Sequence, residues 1–141
     1  MAVIVVGVDG SPASLKALRW AVDEARLRAA TRRVVHAWTS PYHGSEIARL
    51  ATEAAIREPL QRAAEQTLQA ALGHTAGIEA ADVERRVVEG PPAPALIEAA
   101  QDADLLVVGS RGRGGFASLL LGSVSHQCAQ HAPCPIVIVH P

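Results

Sequence analysis

Apolar and polar positions recur along this chain with two periods, and the switches between them mark its elements. Residues 2–8, Ala-Val-Ile-Val-Val-Gly-Val, are apolar without a break up to Asp9. A short, continuous, β-branched run of this kind reads as a strand covered on both faces. Ser11 then supplies a helix N-cap and Pro12 a first helical position. Leu15, Leu18, Val22, Ala25 and Ala29 follow at helical spacing and predict a helix to about Ala30. Residues 33–38 predict a second strand, and residues 39–45, with Pro41 and Gly44, a loop. Residues 46 to about 72 are alanine-rich and predict a long helix. Pro59 is expected to kink or split it, because proline removes a backbone donor. After a connection over residues 73–81, residues 83–88 predict a third strand, polar enough to lie near a sheet edge. Gly90-Pro91-Pro92 opens a helix carrying Leu96, Ile97, Ala99 and Ala100. Residues 105–108 read as a fully buried fourth strand, residues 123–131 as a helix and residues 134–139 as a fifth strand.

Strands alternating with helices predict an α/β fold with a mostly parallel sheet and right-handed crossovers. Ligands of such sheets bind beyond the carboxyl ends of the strands, where the strand order reverses. Two strand ends carry chemistry: Val8-Asp9-Gly10-Ser11 after the first strand, and Gly109-Ser110-Arg111-Gly112 after the fourth. If those strands are neighbours, Asp9 and the glycine loop face one crevice.

Composition narrows the function classes. The chain has 141 residues, the size of one domain, and is 49% hydrophobic, enough for a core. Its formal net charge of −1 gives no global field toward nucleic acid or an anionic membrane, so neither is expected as a partner. The two cysteines, Cys128 and Cys134, are too few for a disulfide scaffold. No run reaches the roughly 18 apolar residues of a membrane span, and Asp9 interrupts the apolar start that a signal peptide would need. A cytoplasmic protein is expected.

The strongest chemical signal is the glycine spacing. Gly109-Ser110-Arg111-Gly112 is followed by nine residues and then by Gly122-Ser123-Val124-Ser125. A strand, a glycine-rich loop and a helix start, in that order, make an anion site. Glycines admit a phosphate close to the backbone, and unpaired amides at the helix start point at the negative charge. Ser123 adds a hydroxyl that can serve a phosphate or cap the helix. Lys16 lies outside any P-loop setting, and Gly7-Val8-Asp9-Gly10-Ser11 lacks the dinucleotide fingerprint. Asp9, at the end of an apolar strand, needs donors. They are either nearby loop amides such as that of Ser11 or the hydroxyls of a nucleotide, and with the glycine loop present the second reading is favoured.

Gly-x2-Gly-x9-Gly-Ser, preceded by Asp-Leu-Leu-Val-Val and followed by Cys-Pro-Ile-Val-Ile-Val, resembles the universal stress protein family. The opening Val-Gly-Val-Asp-Gly-Ser and Gly90 before a proline-containing helix share the likeness, which covers essentially the whole chain as one domain, residues 1–141. The glycine motif is the mark of that family's ATP-binding branch. The resemblance implies a Rossmann-like open five-stranded parallel sheet, order 3-2-1-4-5, with helices on both faces. It implies that Asp9 accepts hydrogen bonds from ribose or adenine, that Ala37 lies by the adenine, and that Val108 and Gly109 flank ribose and base. Gly112, Gly122, Ser123, Val124 and Ser125 would surround the phosphates of ATP, with or without Mg²⁺. It also implies a homodimer through the last strand, residues 136–139.

Arg111 and Arg113 sit where family members vary, and read equally as phosphate contacts or as solvated loop charges. His126, Cys128, His131 and Cys134 are close in sequence, but 126 and 128 face apart on a helix and no metal is expected. Trp20 and Trp38 read as packing residues in preference to adenine platforms. No general base or water-positioning residue is evident, so the expected function is a nucleotide-dependent sensor or regulator in the stress response, with little or no ATP hydrolysis. The alternatives are a nucleotide-free dimeric interaction module and a slow adenine nucleotide hydrolase. The latter lacks its usual Ser-Gly-Gly-x-Asp-Ser loop after the first strand, where this chain has Asp9-Gly10-Ser11-Pro12.

Overall fold

The structure, a computed structural model, describes residues 2–39, 46–75, 78, 83–111 and 121–141. Strands and helices alternate as β1 (Val3–Gly7), α1 (Pro12–Arg28), β2 (Thr31–Trp38), α2 (Glu46–Gly73), β3 (Val83–Glu89), α3 (Pro92–Ala99), β4 (Leu105–Gly109), α4 (Ser123–His131) and β5 (Ile136–Val139). The strands form one five-stranded parallel sheet of order β3-β2-β1-β4-β5. The chain therefore runs outward from β1 in one direction, returns, and continues from β4 in the other. The order reverses between β1 and β4, which pair directly.

Side-chain alternation along the strands divides the core in two. Ile4, Val6, Val34 and Val107 face α1 and α2, where they join Leu18, Val22, Leu68 and Leu72. Val5, Val35, Leu106 and Val108 face α3 and α4, where they join Ala93, Leu96, Ala99 and Cys128. β1 and β4 are buried on both faces, which is why they appear in sequence as unbroken apolar runs.

Local chemistry sets the boundaries. Ser11 caps α1, its Oγ accepting from Ser14 N at 3.2 Å, and Pro12 sits in the first turn. Ala29 closes that helix in the left-handed conformation, with φ of 51°. The second strand starts at Thr31, two residues before the pattern suggested, because Thr31 N already bonds Ala2 O at 2.9 Å. The fifth starts at Ile136, although Pro135 O still accepts from Leu106 N. The expected break at Pro59 does not divide the helix: α2 continues through it to Gly73. Its last turns bury Ala64, Leu68, Ala71 and Leu72 against the sheet, and that packing outweighs one missing hydrogen bond.

The two edge strands differ. β3, Val-Glu-Arg-Arg-Val-Val-Glu, is charged, while β5, Ile-Val-Ile-Val, is half-buried and carries no charge. No helix of the described residues is long and apolar enough to cross a membrane.

Candidate functional site

A crevice of about 400 Å³ opens at the carboxyl ends of the strands, above the junction of β1 and β4. Gly7, Val8 and Asp9 supply one part of its wall, Val35 and Ala37 of β2 another, and Pro92 and Leu96 of α3 a third. Val108 and Gly109 end β4 and Arg111 follows it, and Gly122 to Ser125 close the ring from the start of α4. Of the residues singled out in sequence, Asp9, Ala37, Val108, Gly109, Arg111, Gly122, Ser123, Val124 and Ser125 thus line one cavity. Gly112 and Arg113 lie outside the described residues. Gly7, Val8, Ser14, Val35, Pro92 and Leu96 also line it and were not singled out as site residues. The strand face offered a signal for Val35, which lies two residues before Ala37 and so on the same side of β2. The helix residues carried no comparable signal.

The β1–α1 turn is held by a short hydrogen-bond circuit. Asp9 Oδ1 accepts from Ser11 N at 2.8 Å, while Asp9 N donates to Ser14 Oγ at 3.2 Å. Ser14 Oγ in turn donates to Ser11 O at 3.0 Å. Gly10 between them has φ of 82°, a conformation that glycine adopts without a Cβ penalty. Asp9 therefore has the loop-ordering role weighed in sequence, and it holds that role while lining the crevice. Val8 is anchored on both sides: its N donates to Val35 O at 2.9 Å, and its O lies 2.8 Å from His36 Nδ1.

The β4–α4 side is built around close backbone approach. A Cβ at Gly109 would lie 2.9 Å from the carbonyl carbon of Ala13, so only glycine lets β4 end this near the start of α1. Gly7 has a similar place under α3, where a Cβ would meet Leu96 Cδ1 at 2.8 Å. Beyond Gly109, Ser110 is fully buried. Its carbonyl receives Gly122 N and, at 3.1 Å, Ser125 Oγ, which also donates to Gly122 O at 3.0 Å. This staples the first turn of α4 to the end of β4.

The N-cap of α4 is Gly122, with no side-chain cap, and its first helical bond runs from His126 N to Gly122 O. The amides of Ser123, Val124 and Ser125 precede that bond and have no helical acceptor. Ser123 does not cap the helix: its Oγ accepts from Gln127 Nε2 at 3.0 Å. The helix start and its dipole give the crevice a positive rim opposite Asp9. Such an arrangement can hold a polyanion on main-chain donors and a hydroxyl-bearing group on the carboxylate side.

The other residues of interest lie elsewhere. Cys128 is fully buried among α3 and β-sheet residues, and burial pushes its thiol pKa up to about 11. Cys134 is partly buried, with its pKa raised by burial and then by Asp104. Trp38 Nε1 donates to Gln61 Oε1 at 2.9 Å, and Trp20 packs on the α1 side of the core.

The family model of the universal stress protein family matches residues 1–140. A universal stress protein of Mycobacterium tuberculosis is 39% identical over 139 residues, which is 99% of this chain and 48% of that protein. One from Mycolicibacterium smegmatis is 38% identical over 143 residues, 98% of this chain and 45% of that protein. The chain spans about half the length of these curated relatives. Among solved structures, the universal stress protein UspA from Lactobacillus plantarum superposes with a TM-score of 0.83 at 20% identity, covering 98% of this chain and 97% of that one. A universal stress protein solved in complex with cAMP superposes with a TM-score of 0.63 at 33% identity, covering 99% of this chain and 96% of that one. The chain belongs to the universal stress protein family.

Proposed function

We propose that the crevice binds an adenine nucleotide, with ATP as the physiological ligand, and that the protein acts as a nucleotide-dependent sensor or regulator in a stress response. The observation that carries this reading is the opposition of Asp9 and the α4 helix start across one cavity at the sheet's switch point. The cavity volume falls in the range of small-molecule sites, about 300–1,000 Å³. Its wall of Gly7, Val35 and Ala37 from the strands and Leu96 from α3 is apolar, as a base requires. The α4 amides and Arg111 suit phosphates, and Gly112 and Arg113 belong to the same proposed set. The relative solved with cAMP, 33% identical, supports an adenine nucleotide. Among the described residues no group of three His, Cys, Asp or Glu side chains gathers to hold a metal, so a Mg²⁺ ion would ride on the phosphate oxygens.

A cradle of amides binds phosphates in the ground state, and ground-state binding by itself does not accelerate their transfer. Little or no hydrolysis is therefore proposed. Occupancy orders the helix that leads into β5, and β5 is the edge through which two copies would pair as a homodimer.

Mass spectrometry of gently purified protein, followed by calorimetric titration, tests the reading. Copurified ATP and saturable ATP binding are expected. AMP formed with rapid turnover would instead support a hydrolase. Protein that takes up no adenine nucleotide at millimolar supply would overturn the nucleotide reading and leave an interaction module.

A further inference from the structure

Arg33 is a buried cation at the far end of the sheet from the crevice. Its side chain is 6% exposed, yet every arm is engaged. Nε donates to Glu84 Oε2 of β3 at 2.9 Å. Nη1 donates to Ala99 O, the last residue of α3, at 2.7 Å and to Asp102 Oδ1 at 2.6 Å. Nη2 donates to Asp102 Oδ2 at 3.2 Å. Glu84 is steadied in turn by Arg86, whose Nε and Nη2 donate to Oε1 at 3.0 and 2.8 Å. One guanidinium thus ties β2 to β3 and to the C-terminal end of α3.

The placement is what connects this cluster to the crevice. Arg33, Val35 and Ala37 follow one another on the same face of β2, the face covered by α3. Val35 and Ala37 line the crevice, as do Pro92 at the other end of α3 and Leu96 at its middle. The layer between β2 and α3 is therefore pinned at one end by Arg33 and opens into the cavity at the other. From its own side α3 contributes the small Ala93 and Ala99 together with Leu96 to that layer, which meet Val35 and the partly buried Val88 on the sheet. With two alanines among these three side chains, the bonds to the C-terminal end of this eight-residue helix are added to a layer of shallow contacts.

We propose that Arg33 is a positioning residue for the ligand crevice: by gripping Ala99 O and Asp102 it fixes the stance of α3 over β2, and so the width of the slot that receives the base. The proposal rests on the nucleotide reading above for its ligand, but its structural half does not. Arg33 itself touches neither α4 nor the end of β4, so its removal reaches the phosphate side only through the packing of α3 on α4, and a response larger on the base side than on the phosphate side separates this role from a general contribution to folding.

The test is Arg33→Met, which keeps the aliphatic stem and removes the fork. Asp102→Ala, at a mostly exposed carboxylate, serves as a second variant that keeps the buried pair with Glu84. Binding of adenosine and of inorganic tripolyphosphate is measured by calorimetry under conditions where circular dichroism shows each variant folded. In parallel, the reaction of Cys128 with a thiol reagent is followed in a Cys134→Ser background, because Cys128 is buried in the same cluster as Leu96 and Ala99. Loss of about tenfold in adenosine affinity with a smaller loss for tripolyphosphate, together with faster Cys128 labelling, is expected, the size being typical of coupling through packed elements. Asp102→Ala should show the same pattern more weakly. Unchanged adenosine affinity and unchanged Cys128 labelling in folded variants would overturn the proposal and leave Arg33 a purely structural ion pair. If the unaltered protein binds no adenosine, the nucleotide reading fails, and the Cys128 rate alone decides whether Arg33 sets the stance of α3.

Discussion

At the scale of single residues, the site is governed by where side chains are absent. Gly109 ends β4 against Ala13, and the nearest atoms to an added Cβ are that residue's carbonyl group and Cβ, none of which can swing aside. Gly109→Ala should therefore cost about 1–3 kcal/mol, the usual range for overpacking, and should shift the start of α1 that carries the Asp9 circuit. Urea unfolding reads the first effect and nucleotide titration the second. Gly122→Glu tests the other side. A carboxylate at the N-cap of α4 would occupy the space in front of the amides with like charge, so ATP binding should vanish while the thermal midpoint changes little. Unaltered ATP affinity would place the phosphates elsewhere. These glycines were legible in sequence because their spacing after a buried strand is a pattern of its own. Leu96 and Pro92 were not, since on a helix they look the same whether they face a core or a cavity.

At the scale of elements, strands and helices followed from local pattern almost throughout. β1 and β4 are unbroken β-branched runs because both faces are covered. The charged run of β3 marked an edge, and Ser11-Pro12 marked a helix start. What local pattern did not convey was the effect of long-range packing: α2 passes Pro59 intact, and Arg33, which reads in sequence as an ordinary polar residue at a strand start, is nearly inaccessible. The Arg33 cluster also makes an acid-stability prediction. The hydrogen bond from Arg33 holds the carboxyls of Glu84 and Asp102 below the usual carboxylate range. A carboxyl with a depressed folded-state pKa contributes its stability above the unfolded value, about 4, and loses it as pH falls through the folded value. The stability gap between the unaltered protein and Arg33→Met should accordingly be constant near neutrality and narrow below about pH 4. Urea melts over a pH series check this. A gap that stays constant down to strong acid would mean that the ion pairs contribute nothing to the folded state.

At the scale of the whole molecule, the strand order places the first and fourth strand ends side by side, and that adjacency turns two separate sequence motifs into one cavity. Periodicity alone does not specify the order. It followed here from a family resemblance, which the sheet topology and the family match bear out. A ligand bound at that junction touches β1, β2, α3, β4 and α4 together, so its binding energy should appear as global stability. With ATP at about 100 times its dissociation constant, unfolding should become harder by about 2.7 kcal/mol. A thermal midpoint that rises with ATP concentration and not with tripolyphosphate alone would show that the base wall contributes. Equal midpoints with and without ATP would count against the site.

The contrast between the two outermost strands limits how such molecules can assemble. Glu84, Arg85, Arg86 and Glu89 along β3 keep that border hydrated and unreceptive to another backbone. The uncharged border at Ile136–Val139 has no such protection. A particle that pairs through one sheet margin and is insulated along the other would use up that margin in a single encounter. In the dimer proposed above, growth would then stop at two copies, and fibrous or sheet-like polymers would be denied a second point of attachment.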